Sequence, residues 1–215
     1  MNIDEKFITK VANAHMYEVM ANKSRYLEPD NFSTVQYMNP RVHIDLIKFK
    51  EMVIRTLHKF DKAGAYLNIG SAAGHLEYVN NLIPSAPHRA SRIIMSSVEW
   101  VDQYDCCKAI REQLGVDIHY ICNDVLQDDF EIFNCKTYFD NVILERFFPV
   151  YRSMTYHRIE EVLRKFVPYG RNAIVVESEG NLSKDQVNYL NRISTDKMHI
   201  SGKWHCFVVK LEQFK

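Results

Sequence analysis

The sequence predicts an α/β protein: a doubly wound, mainly parallel sheet with helices on both faces and an N-terminal helical extension. Three observations predict it. From residue 65 onward, short runs rich in Val, Ile and Leu alternate with amphipathic segments at βαβ spacing. The runs are nearly pure apolar, as strands covered on both faces are. A turn of small residues bracketed by Gly70 and Gly74 directly follows the first run.

Composition narrows the class. A chain of 215 residues with 47% apolar content can bury one sizeable core. Lys and Arg number 27, as do Asp and Glu, so the formal net charge is zero. Non-specific nucleic-acid binding usually needs a basic surplus, so charge does not indicate a nucleic acid. A small molecule or a protein partner is expected instead, and a homodimer stays open. The cysteines stand at 106, 107, 122, 135 and 206, an odd count with no C-x-x-C unit. That pattern argues against a disulfide framework and a zinc knuckle. The histidines are scattered without metal-ligand spacing, so no metal is expected. No apolar run approaches the ~20 residues of a membrane span, and the N-terminus opens with charges. A soluble, cytoplasmic protein is the expectation.

Residues 1–60 read as the extension, a lid over the main domain of residues 61–215. Phe7, Val11, Ala14 and Tyr17 fall at helical spacing behind Asp4, a candidate N-cap. A polar stretch then ends at Pro40. Residues 42–60 form a second helical pattern, with Ile44, Ile47, Val53, Ile54 and Leu57 on one side.

In the main domain, residues 65–69 are the first strand, followed by a turn and a helix to about residue 82. Residues 92–98 are the second strand, 103–114 a helix, 117–122 the third strand and 139–144 the fourth. Residues 155–166 form a helix whose Ile159, Val162, Leu163 and Phe166 share a face. Pro168, Tyr169 and Gly170 stop it before a fifth strand over 172–176. A short helix over 183–193, capped by Ser183, precedes a final β-rich run over 204–211.

In an open parallel sheet, ligands bind outside the carboxyl ends of the strands. Ser71, Ala72 and Ala73 are small, which lets a ligand approach the backbone closely. Such a turn equally serves to pack a helix on a sheet. Glu99 ends the second strand, and Asp124 follows the third beside Val125. An ionised carboxylate offers acceptors to both hydroxyls of a ribose, or to an exocyclic amine of adenine. Either acid alone reads as a solvated loop residue. Together, past consecutive strands, they describe a nucleoside site.

Over residues 60–215 the chain resembles the class I S-adenosylmethionine-dependent methyltransferases. Leu67 to Gly74 is similar to the family's first motif, an acid, an apolar residue and G-x-G-x-G. Val98-Glu99-Trp100 is similar to the segment that holds the ribose and flanks the adenine. Asn123-Asp124-Val125 resembles the adenine-contacting segment. Residues 139–145 resemble the fourth-strand motif, and residues 162–177 the run of helix, Pro stop, Gly and fifth strand. The resemblance implies S-adenosylmethionine as cofactor, lined by Asn68, Gly70, Ser71, Ala72, Gly74, His75, Glu99, Trp100, Asp124, Val125 and Leu144. It also implies a terminal antiparallel hairpin, making the sheet seven-stranded. Asn68 stands where the family has an acid, and Ala72 where it has the middle glycine. The G-x-G-x-x-G spacing of nicotinamide-binding domains is not provided by Gly70 and Gly74.

Methyl transfer needs donor and nucleophile held in line, and a weakly acidic nucleophile also needs a base. Glu145, just past the fourth strand beside Arg146, is the candidate base. An ion pair with a neighbouring Arg or Lys is the preferred reading of that carboxylate. No Asn/Asp-Pro-Pro-Tyr/Phe tetrad is present, which disfavours amino methylation of DNA bases. The expected function is methyl transfer to an unidentified acceptor, a small molecule ahead of a nucleic acid. The alternative is a catalytically inactive methyltransferase-like domain serving as a binding or scaffold protein. A third reading keeps the fold and does other chemistry on a nucleoside or polyamine-like substrate.

Overall fold

The computed structural model describes residue 6 and residues 40–57, 66–69, 92–97, 117–122, 132, 138–145 and 155–215. Residues 1–5 and 7–39, with the first helix expected there, lie outside the described residues, as do the two helices expected after the first and second strands. Helix α1 spans Pro40–Leu57. It opens on the proline rather than after it, because the first turn has no use for the missing N–H. Strands β1 (Tyr66–Ile69), β2 (Arg92–Ser97), β3 (Asp117–Cys122) and β4 (Phe139–Glu145) follow. Then come α2 (Tyr156–Lys165), β5 (Gly170–Ser178), α3 (Lys184–Ile193), β6 (Asp196–Ser201) and β7 (Trp204–Lys210). A 3-10 turn, Leu211–Phe214, closes the chain.

All of these strands join one mixed sheet in the order β3-β2-β1-β4-β5-β7-β6. β1 pairs in parallel with β2 and β4, β2 with β3, and β4 with β5. β7 runs antiparallel to both β5 and β6. The chain therefore steps outward from β1 through β2 to β3, then returns to the other side of β1 for β4 and β5. The crossover direction reverses between β1 and β4, the topological switch point of an open α/β sheet.

Strand alternation assigns the faces. Leu67, Ile69, Val142, Leu144, Ala173, Val175, Phe207 and Val209 enter one core with Ile159, Val162, Leu163 and Phe166 of α2 and Leu190 of α3. Side chains of the opposite face meet α1. Phe49 packs on Trp204 with ring centroids 4.8 Å apart, and Lys50 reaches Glu145. Ile47, Val53 and Ile54 make the buried side of α1. The buried polar pair Asn141 and Asn172 lies side by side on β4 and β5. Asn172 Nδ2 donates to Asp140 O at 3.0 Å and to Asn141 Oδ1 at 3.4 Å.

Local chemistry sets the ends of the elements. Ser183 forms a reciprocal capping box with Gln186: its Oγ accepts from the Gln186 amide at 3.2 Å, and its own amide donates to Gln186 Oε1 at 2.7 Å. After α2, the amides of Tyr169 and Gly170 both donate to Phe166 O, at 2.9 and 3.0 Å. Tyr169 O then accepts from the Phe139 amide at 2.7 Å, fastening the turn to the start of β4. The β6–β7 hairpin turns through Gly202 at φ 54, a conformation that favours glycine.

Two differences from the sequence expectation have physical causes. β5 runs from Gly170 to Ser178, longer at both ends than 172–176, because β4 pairs with its start through Phe139↔Gly170 and β7 with its end through Ser178↔Trp204. β6 is the strand the apolar pattern misses. Its burial is mixed or exposed along its whole length, as an edge strand's is, and backbone pairing with β7 defines it.

Candidate functional site

The parallel strands all send their carboxyl ends to one edge, marked by Ile69, Ser97, Cys122, Glu145 and Ser178. Three sequence-predicted site residues fall within the described residues, and the sheet brings them together where β1 meets β4. Asn68 is buried one residue before the end of β1, with Met95 and Ile143 as register partners. Leu144 pairs with Ile69 and is fully buried in the core shared with α2. Glu145 stands one residue further on, at the edge itself.

Gly70, Ser71, Ala72, Gly74, His75, Glu99, Trp100, Asp124 and Val125 lie outside the described residues. In the chain, the first five follow the end of β1, the next two the end of β2 and the last two the end of β3.

Glu145 is ion-paired with Lys50 of α1. Lys50 Nζ donates to Glu145 Oε1 across 95 residues of chain. The Lys50 side chain is 14% exposed and that of Glu145 4%. Desolvating two charges this far requires close geometry between them. The second oxygen, Glu145 Oε2, is buried and has no hydrogen-bond partner among the described residues. Sequence reasoning missed Lys50. The signal was its place in α1: Ile47, Lys50 and Ile54 fall at i, i+3 and i+7, so a lysine interrupts the apolar stripe.

A second charged group follows β5 at the same edge. Glu179 accepts from Lys197 Nζ at 2.7 Å and stands 3.2 Å from His205 Nε2. The Lys197 hydrogen bond holds the Glu179 carboxyl below its ordinary range, against a smaller opposing effect of burial. Burial pushes the His205 imidazole down, the Lys197 charge adds to this, and Glu179 opposes it. Across the β6–β7 pairing, His205 faces His199 in register, with ring centroids 5.4 Å apart and the rings edge-on. Among the described residues, no group of three or more His, Cys, Asp and Glu side chains is arranged to hold a metal ion.

An open cleft of about 300 Å³ lies between α2 and α3, lined by Tyr156, Asp185, Asn188, Tyr189 and Arg192. It takes in none of the sequence-predicted site residues. Among the described residues, no helix is long and apolar enough to cross a membrane.

No protein-family model matches the chain, and no curated protein matches it in sequence. Solved structures match its fold. One is magnesium protoporphyrin IX methyltransferase from Synechocystis PCC 6803 with bound SAM. It superposes at TM-score 0.54 with 9% identity, over 98% of this chain and 98% of that one. The PH0226 protein from Pyrococcus horikoshii OT3 gives TM-score 0.54 at 12% identity, over 74% of this chain and 88% of that one. An S-adenosylmethionine-dependent methyltransferase from Clostridium acetobutylicum ATCC 824 gives 0.50 at 11%, over 80% and 64%. The chain has the class I methyltransferase fold.

Proposed function

We propose that this protein is an S-adenosylmethionine-dependent methyltransferase acting on a small-molecule acceptor. The observation that carries the reading is the switch point between β1 and β4, with the buried Glu145 carboxylate at its carboxyl edge. The methyltransferase fold of the solved structures that resemble it supports the same reading. So do the sequence motifs that follow β1, β2 and β3. The layering we infer is doubly wound: right-handed crossovers leaving β1 in opposite directions put their helices on opposite faces of the sheet. Residues 1–60 then act as a lid on the domain of residues 61–215, and the odd cysteine count fits a cytoplasmic location.

The residues present fit the cofactor. A buried carboxylate oxygen that has no hydrogen-bond donor among the described residues suits a ligand that brings a donor or positive charge. In this reading Glu99 holds the ribose and Trp100 flanks the adenine. Asp124 and Val125 bracket its amine, while Gly70, Ser71, Ala72, Gly74 and His75 surround the amino-acid end. Asn68 and Leu144 shape the floor. The cofactor, when bound, supplies an activated methyl on a sulfonium. The chain's task is to align that methyl with the acceptor and exclude water. The pair with Lys50 argues that Glu145 works as a fixed charge rather than as a base.

Calorimetry with S-adenosylmethionine and S-adenosylhomocysteine tests the reading. Both ligands are expected to bind, and Glu99→Ala to weaken both about tenfold through the lost ribose contacts. Absence of heat and of a thermal shift with either ligand at millimolar concentration removes it. A second reading, an inactive methyltransferase-like domain that binds a protein partner, is favoured by Asn68 and Ala72, which replace an attracting charge and a close-approach glycine. Binding without turnover on any acceptor supports that alternative.

A further inference from the structure

We propose that the cleft between α2 and α3 is a second ligand site, fitted to a free pyrimidine nucleoside monophosphate whose base carries an amine. The inference does not depend on the methyltransferase reading.

The cleft is assembled from one face of each helix. Asp185, Asn188, Tyr189 and Arg192 recur at i, i+3, i+4 and i+7 along α3, and Tyr156 opens α2 opposite them. Tyr189 is buried, and its ring lies 5.4 Å from that of Tyr156, tilted by 33°. Tyr156 itself is 37% exposed, so part of its ring is open to a ligand. Arg192 lays its guanidinium over the Tyr189 ring, 5.3 Å from the centroid.

Three of these side chains have polar groups to spare. Arg192 makes no ion pair among the described residues, and the side chains of Asp185 and Asn188 make no hydrogen bond among them. A guanidinium held over a ring keeps its planar fork of donors for a phosphate or carboxylate. Asp185 offers acceptors alone, so it calls for a donor such as an exocyclic amine. The two charges stand seven residues apart on α3, roughly 10 Å along its axis. That is longer than a free amino acid, and it matches one nucleotide from base amine to phosphate. Tyr156, packed on Tyr189 between the two charges, supplies an aromatic surface for the base.

Size and charge narrow the class further. A volume of about 300 Å³ is at the small end of ligand pockets and favours a base of one ring. Both walls are helices, whose backbone groups already bond along their own axes. An extended peptide would find side chains there but no strand edge for its amides. Zero net charge favours a free nucleotide over a polyanionic strand.

Isothermal calorimetry on the full chain tests the site, with cytidine monophosphate, cytidine and uridine monophosphate as probes. Arg192→Gln is expected to weaken cytidine monophosphate about tenfold and to leave cytidine within about twofold of wild type. The wild-type protein is expected to prefer cytidine monophosphate over uridine monophosphate by roughly three- to tenfold. Asp185→Asn should abolish that preference, because an amide can donate to the uracil carbonyl. Tyr156→Ala should weaken both cytidine ligands about fivefold or more. Asp185 and Arg192 are exposed, and thermal melts show that each variant is folded. No heat with cytidine monophosphate at millimolar concentration overturns the site, as does binding that none of the three variants changes. Neither result touches the methyltransferase reading, which is tested through Glu99.

Discussion

Gly170 and Val142 lie so close across β5 and β4 that a methyl group on Gly170 would stand 2.6 Å from Val142 Cγ2. Val142 is fully buried, so it has no free space to rotate into. The glycine that follows Pro168 and Tyr169 is therefore demanded by contact between the strands. It sits where α2 ends and β5 begins, and its own amide closes the helix on Phe166 O.

Gly170→Ala is expected to destabilise the protein by roughly 1–3 kcal/mol, the usual cost of forcing volume into a packed core. Urea unfolding followed by circular dichroism measures it. Gly170→Ala combined with Val142→Ala should recover part of the loss, because the clash disappears. A single variant with an unchanged midpoint shows that the strands separate freely at this point.

The ion pair between Lys50 and Glu145 predicts an asymmetric double-mutant cycle. Lys50→Met strands a buried carboxylate and is expected to cost about 3–5 kcal/mol. Replacing both residues, Lys50→Met with Glu145→Leu, removes the stranded charge and is expected to return most of that stability. Equal losses in the single and double variants, measured by denaturant titration, would contradict the pairing.

These two contacts show what was legible in the sequence. The order of β1 to β5, α2, α3 and β7 is readable because each of these strands is a short apolar run and each of these two helices carries one apolar face. Ile159, Val162, Leu163 and Phe166 were placed in the core from spacing alone, and they are buried there. The Ser183 cap was readable because its partner, Gln186, is three residues away. Features that depend on distant partners were not. Lys50 and Glu145 each look like ordinary charged residues until the sheet brings helix α1 to the end of β4. β6 was silent for a different reason: an edge strand with mixed exposure has no hydrophobic period, and its neighbour β7 decides it. Within the site, position in the motifs marks Asn68, Leu144 and Glu145. That Leu144 belongs to the core and Glu145 to an ion pair was decided by packing.

A last relationship gives a prediction in pH. Tyr189 Oη donates to Glu160 Oε2 at 2.9 Å, and the tyrosine is itself largely buried. Burial above all, and then the hydrogen bond to Glu160, pushes the phenol's ionisation well above its ordinary value of 10.0. On the other side of the contact, Arg164 first and Tyr189 second hold the Glu160 carboxyl below its ordinary range. A folded-state value raised above the unfolded one favours the protonated phenol in the native protein. The resulting stability is fully present below the unfolded value and is lost as pH climbs from there through the folded value. At neutral pH, Tyr189→Phe should cost roughly 0.5–1.5 kcal/mol for the missing hydrogen bond. The wild-type advantage over Tyr189→Phe should hold steady up to about pH 10 and then shrink as the pH rises further. Denaturant titrations of both proteins between pH 7 and 11 measure this difference directly and cancel the other tyrosines. An advantage that stays flat across that range would mean that Tyr189 ionises as readily in the folded chain as in the unfolded one.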